Sequence, residues 1–348
     1  MGKRIRTRKI YYYEEVEEDS VDKKKVAYLL FLLLMTGIML ATSTYAWFTT
    51  NRIVKVDTLN IKVQSEGSLE ISVDGINWKP GITQEELAAA RSTYPGSVNQ
   101  LPSLIEPVST VGELDNRGFM NMYLGVVKSN SMGDYILTST KSTEIEGNGE
   151  LSDGKFVAFD LFLKTTEAKD LYLTGKSGVT YNGNASVGTE NAIRVAFVNE
   201  GNVMDGSGSS VIQSLATTNR DNVYIWEPNY DTHTLTGISN ALDIYNITTS
   251  LNGAQYIPYD GVQSEISEDE NITLKRSFAS YYPNKFFRVT PFLITPSGSN
   301  TYQKFINLPS GITKIRVYLW LEGQDVDCEN NASVGDLAFT LEFSTNPS

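Results

Sequence analysis

The chain has 348 residues, with 29 Lys and Arg against 41 Asp and Glu for a net charge of −12, one His, one Cys, 19 Tyr, 14 Phe and 4 Trp. With 41% hydrophobic and only 20% charged residues it can bury a sizeable core, which excludes a disordered polyelectrolyte. The acidic balance argues against a nucleic-acid surface, which needs clustered Lys and Arg, and a single imidazole excludes His-based zinc sites, which take two or more.

Residues 1–25 carry 8 basic and 6 acidic side chains, from Lys3, Arg4, Arg6, Arg8 and Lys9 to Lys23-Lys24-Lys25, and read as a disordered cytoplasmic leader. Residues 26–41, VAYLLFLLLMTGIMLA, are almost continuously apolar. As a helix they reach about 24 Å, short of a hydrocarbon core of about 30 Å. That length suits the apolar region of a signal peptide, and Thr44 and Ala46 are small residues placed for cleavage between Ala46 and Trp47. The alternative for 26–46 is a retained membrane helix, prolonged so that Trp47 and Phe48 lie at the membrane surface. In either case the positive-inside rule keeps the N-terminus in the cytoplasm and exports residues 47–348 to the cell surface or beyond. That body keeps 21 basic and 35 acidic residues, so it is more acidic than the precursor.

In the exported body the strand signal is strong. Alternating or continuous apolar runs predict strands at 59–63, 69–73, 156–163, 192–198, 223–226, 286–294, 315–321 and 337–343. Asp74-Gly75 predicts a tight hairpin, and Asn148-Gly149, Asp153-Gly154, Asn182-Gly183, Asn252-Gly253 and Asp260-Gly261 predict further turns. One short helix is expected at 84–91, where Thr83 and Glu86 form a capping box. Regions near 79–155 and 199–285, rich in Gly, Ser, Asn and Asp, read as insertions. The pattern predicts an all-β fold, a jelly-roll-like antiparallel β-sandwich with long loop insertions and at most one or two short helices.

Few side chains suggest chemistry. The loop 205–210, Asp-Gly-Ser-Gly-Ser-Ser, lacks the Lys-Ser/Thr ending of a phosphate-binding loop and reads as a surface turn. Glu322, Asp325 and Asp327 cluster in a Gly-containing segment; they are oxygen ligands that suit calcium, but without EF-hand spacing the plainer expectation is carboxylates that accept backbone amides. His233 reads as a hydrogen-bonding loop residue and Cys328 as a small buried hydrophobe, with an intersubunit disulfide as its alternative. Asn184, Asn246, Asn271 and Asn331 head glycosylation sequons that matter only in a glycosylating host. No GxSxG elbow is present, and neither an enzyme nor a cofactor is expected.

The apolar segment ending Thr44-Tyr45-Ala46-Trp47-Phe48-Thr49-Thr50-Asn51, followed by Leu69-Glu70-Ile71-Ser72-Val73-Asp74-Gly75, resembles the N-terminus of exported TasA/camelysin-like proteins of Gram-positive bacteria. The resemblance implies processing by a SipW-type signal peptidase. It further implies a jelly-roll subunit of an extracellular or biofilm-matrix fibre, in which the freed N-terminal strand completes the sheet of the next subunit. The protease activity ascribed to camelysin is not carried over, because the ligands for it are missing. The expected donor strand lies in 47–56, with β-branched Thr49, Ile53, Val54 and Val56 facing an acceptor edge. The expected partners are further copies of the chain, the signal peptidase and, if 26–46 is uncleaved, the membrane. The alternative reading is a membrane-anchored adhesin or binding module.

Overall fold

The computed structural model describes residues 27–29, 31, 54–64, 69–142, 154–182, 188–253, 255–273, 277–290, 293–294, 303–328 and 336–346. The chain divides into two units, Met1–Thr42 and Ser43–Ser348. In the first unit residues 27–29 and 31 are helical and exposed. Among the described residues no helix is long and apolar enough to cross a membrane. The expected cleavage site at Thr44, Ala46 and Trp47, together with Thr49 and Ile53, lies outside the described residues.

The second unit is mostly strand. β1 (Val54–Val63), β2 (Glu70–Ser72) and β3 (Gly81–Ile82) lead to helix α1 (Gln84–Ala89), which a 3-10 turn at Ala90–Ser92 prolongs. Then come β4 (Asn99–Gln100), β5 (Leu104–Ile105), β6 (Pro107–Ser109), β7 (Met122–Ser129), β8 (Tyr135–Ser142), β9 (Val157–Thr165), β10 (Lys169–Leu173), β11 (Gly178–Asn182) and β12 (Ile193–Val203). The remainder holds α2 (Ser209–Gln213), β13 (Val223–Glu227), α3 (Leu235–Tyr245), β14 (Tyr259–Val262), α4 (Phe278–Tyr281), β15 (Phe286–Val289), β16 (Leu293–Ile294), β17 (Gln303–Leu308), β18 (Gly311–Glu322) and β19 (Asp336–Ser344).

Two large sheets face each other as a sandwich. The first runs β17-β10-β19-β1-β3, with β11 on β19 and β5 on β1; the second runs β16-β13-β12-β18-β6-β7-β8, with β9 on β18 and both β2 and β4 on β9. Pairing is mainly antiparallel, with parallel contacts at β1/β19, β13/β16 and β18/β6. Side chains of β1, β9, β12, β18 and β19 interdigitate in one core, where the Phe197 ring meets Phe305 at 4.8 Å and Phe343 at 6.1 Å between centroids. All 12 residues of β18 are buried. Ile315, Val317 and Leu319 face the sandwich core, while Tyr318 and Trp320 face a second cluster with Val108 and Phe156. A strand covered on both faces reads as a continuous apolar run, which is why residues 315–321 lack alternation.

Several expectations change. Asp74-Gly75 does form a turn, with Gly75 at φ +71°, but strand pairing resumes only at Ile71 with Lys79. The wider loop is organised by Asp74, whose carboxylate accepts from the Ile76 and Asn77 amides, Ser72 Oγ and Thr93 Oγ1. Burial opposes that charge, yet the bonds hold the carboxyl down to about 2. Asp260-Gly261 is not a turn: it lies inside β14, pressed so closely on Thr110 that a Cβ at Gly261 would stand 2.6 Å from the Thr110 carbonyl oxygen. Helix is more plentiful than one or two short pieces, with α1 to α4 among the described residues. The capping box at Thr83 and Glu86 is present on α1 as expected. The regions expected as insertions contribute β4, β6 and β13 to the second sheet. The expected strand at 286–294 divides into β15 and β16, which join different sheets.

Candidate functional site

β1, the first strand of the second unit among the described residues, is a central strand. β1 pairs in parallel with β19 from Lys55 opposite Asp336 to Val63 opposite Phe343, with a bulge between Val56 and Thr58 that re-phases the alternation. Val54 and Val56 point inward on one side of the bulge and Leu59, Ile61 and Val63 on the other. On its far side β1 meets β5 only at Val54 and Lys55, and β3 only at Ile61 and Lys62. Asp57 to Asn60 have no strand pairing there among the described residues. Lys55 spans the seam, 3.0 Å from Asp57 and 3.2 Å from Asp336. Of the expected donor residues, Val54 and Val56 are therefore 2% and 6% exposed within their own chain's sheet.

The second feature is a buried ionic cluster at the end of β18, which gathers Glu322, the last residue of that strand, with Asp325 and Asp327 of the connection to β19. Glu322 accepts from Trp320 Nε1 at 2.9 Å and from the Gln324 amide at 3.0 Å. Asp325 accepts from the Asp327 amide at 2.7 Å and pairs with Arg194, which also reaches Glu227 at 2.8 Å. Asp327 lies 2.8 Å from His233 Nδ1 and accepts from the Thr234 amide at 2.7 Å and Thr234 Oγ1 at 2.9 Å. Thr234 in turn caps α3 through the Gly237 amide, and Asn240 donates to the Val326 carbonyl. The acidic segment is thus a clamp on the N-terminus of α3. Among the described residues no group of three or more His, Cys, Asp or Glu side chains is placed to hold a metal ion.

Electrostatics follow from burial. Desolvation pushes Glu227 up to about 8, against the pull of Arg194 and with the charges of Asp325 and Asp327 adding to it. Desolvation likewise carries Glu322 up to about 7 despite its bonds to Ser109 and Trp320. Burial works against protonation of His233, but the bond to Asp327 outweighs it and raises the imidazole. Burial also opposes the Arg194 charge, and Glu227 and Asp325 hold it above its ordinary value.

The sequence singled out Glu322, Asp325, Asp327 and His233 and missed Arg194 and Glu227. A signal existed: Arg194 interrupts the apolar run AIRVAFV, and a charge inside a buried strand demands a partner. Cys328 is half-buried and packs against two apolar clusters. The loop 205–210 does run into a helix, α2, whose first residue is Ser209. A groove of about 370 Å³ lies between Val111, Gly112, Arg220 and Ile225 on one side and Phe287 and Arg288 on the other. Compared with models of known protein families, with characterised proteins and with solved structures, the chain matches none.

Proposed function

We propose that the chain is a non-enzymatic subunit of an extracellular surface or matrix fibre, exported by residues 26–46 and joined to its neighbour by exchange of the N-terminal strand after cleavage between Ala46 and Trp47. The observation that carries this reading is the seam between β1 and β19. The first strand of the exported body lies parallel to the last, so β1 of a second copy can offer β19 the same ladder and the same inward side chains. Because Val54 and Val56 are buried in their own sheet, donation takes the form of exchange, in which β1 leaves its own β19, rather than of a loose arm filling an empty groove. Head-to-tail exchange of this kind is heterologous and builds filaments when the rotation does not close. An uncleaved membrane helix tethers the segment and blocks exchange, so processing is the switch.

N-terminal sequencing and intact mass of the protein from the cell surface, with negative-stain microscopy of the same material, test the reading. A start at Trp47 together with filaments is expected; a chain that keeps residues 26–41 and forms no filaments overturns it. That second outcome favours the anchored binding module, for which the groove beside Arg220, Phe287 and Arg288 is the place to seek a ligand.

A further inference from the structure

We propose that Lys314 and Asp160 are a self-modifying pair whose amine and carboxyl condense to an intramolecular amide that staples β18 to β9. This rests on geometry separate from the β1 seam and from the Arg194 cluster. In the β9/β18 ladder Asp160 lies opposite Arg316 and Phe162 opposite Lys314, so Lys314 and Asp160 are diagonal neighbours on one face. On the other side of β18, Gly201 of β12 lies opposite Lys314, next to the bulge that carries Glu200. Lys314, Asp160 and Glu200 are each 2% exposed. Tyr94 and Phe162 lie edge to face beside them at 5.7 Å, with the Lys314 ammonium 5.6 Å from the Tyr94 ring.

The contacts supply a reaction path. Lys314 Nζ stands 3.5 Å from Asp160 Oδ2, which sets the amine beside the carboxyl group; attack requires Nζ to come within about 3–3.5 Å of Cγ, the atom it bonds. Its three ammonium hydrogens go to Tyr94 Oη at 3.0 Å and to the carbonyls of Gln213 at 3.2 Å and Leu215 at 2.8 Å. Tyr94 Oη lies 2.9 Å from Asp160 Oδ2 and 2.9 Å from the Gln213 carbonyl, and the relay uses the orientation in which its single hydrogen is donated to Asp160. A proton passed along this chain turns the ammonium and carboxylate into an amine and an acid. The two carbonyls keep the remaining N–H groups, so the new lone pair faces Tyr94 and Asp160. Nitrogen then attacks Cγ, and the negative charge develops on Oδ1, which accepts from Arg316 Nε at 2.8 Å. The adduct passes its second amine proton to Oδ2 through the same hydroxyl, the Cγ–Oδ2 bond breaks, and one water leaves. Three ammonium hydrogens become one amide hydrogen and the two of that water, with no oxidant, reductant or further reactant.

The surroundings favour the product. Burial works against the Asp160 charge, but Arg316 and Lys314 outweigh it and hold the carboxyl below its ordinary value, so the proton transfer is uphill; condensation then removes one buried charge of each sign. Arg316 remains, its Nη1 3.3 Å from Glu200 Oε1. Glu200 is a positioning residue: Oε2 is tied to the Thr217 amide at 2.7 Å, and its other oxygen holds the guanidinium toward Oδ1. Burial raises the Glu200 carboxyl, while Arg316 acts against that rise.

Intact mass and proteolytic mapping of the purified full chain decide the matter, with the N-terminus determined on the same sample. The expected result is a chain lighter than its sequence by one water, and a branched peptide joining the segments that hold Lys314 and Asp160. Lys314→Arg restores the full mass, and Tyr94→Phe slows linkage about a hundredfold or more in freshly folded protein, as loss of a proton relay should. Wild-type protein at its full sequence mass after prolonged incubation in the folded state overturns the proposal. So does a missing water without the branched peptide. Neither reading depends on a variant that folds, and neither bears on whether the protein forms fibres.

Discussion

Arg194 carries the positive charge that Glu227 and Asp325 share at the end of the second sheet. Arg194→Met keeps most of the side-chain volume but strands these buried carboxylates. It should cost about 3–5 kcal/mol in denaturant unfolding. The same cluster sets a pH dependence. Glu227, at about 8, and Glu322, at about 7, both lie above their ordinary 4.5, so their contribution is complete below about pH 4.5 and is lost as the pH rises through 7 to 8. Asp74 works the other way: held at about 2 against an ordinary 3.8, it stabilises above that value and ceases to do so as the pH falls toward 2. Thermal unfolding followed from about pH 3 to 9 should give maximal stability near pH 4 to 5 and a decline on the alkaline side. Glu227→Gln, which imitates the protonated acid, should flatten that decline; an unchanged alkaline limb would show that Glu227 titrates normally. Three carboxylates of this cluster were legible in the sequence because they are adjacent in it. Arg194, Glu227 and His233 join them only through the pairing of β12 with β18 and β13, which local spacing does not encode.

At the scale of elements, strands with alternating or continuous apolar residues could be read directly, as could α1 from its capping box. Thr83→Ala removes the side-chain acceptor for the Glu86 amide and should lower stability by about 0.5–2 kcal/mol. Helix α3 was not legible. Its sequence LTGISNALDIY has a Gly in the first turn and a narrow apolar face, and Thr234, its cap, is held by Asp327 from the far end of the chain. That contact makes a specific demand on Gly237: a Cβ there would stand 1.9 Å from Asp327 Oδ1. Gly237→Ala should therefore destabilise by about 1–3 kcal/mol despite the better helix propensity of Ala. A stabilised variant in the same unfolding assay would mean that the clamp is loose. The β7–β8 hairpin escaped notice for a different reason: much of it is only partly buried, so its apolar residues make no regular stripe.

At the scale of the molecule, the all-β sandwich followed from composition and turn spacing, while its chain topology did not. A parallel pairing between the first and last strands of the body joins residues far apart in sequence, and periodicity is silent about which strands become neighbours. That pairing is also what makes exchange between copies geometrically natural, and it supplies the most direct test. Asn60 and Thr340 lie opposite each other across the β1/β19 seam, both only partly buried. In a Cys328→Ser background, Asn60→Cys and Thr340→Cys can be oxidised after filaments have formed. Exchange of β1 predicts a covalent ladder of subunits on a non-reducing gel that collapses to monomer on reduction. Filaments that yield only the internally cross-linked monomer would contradict it, because each β1 would then still lie against its own β19.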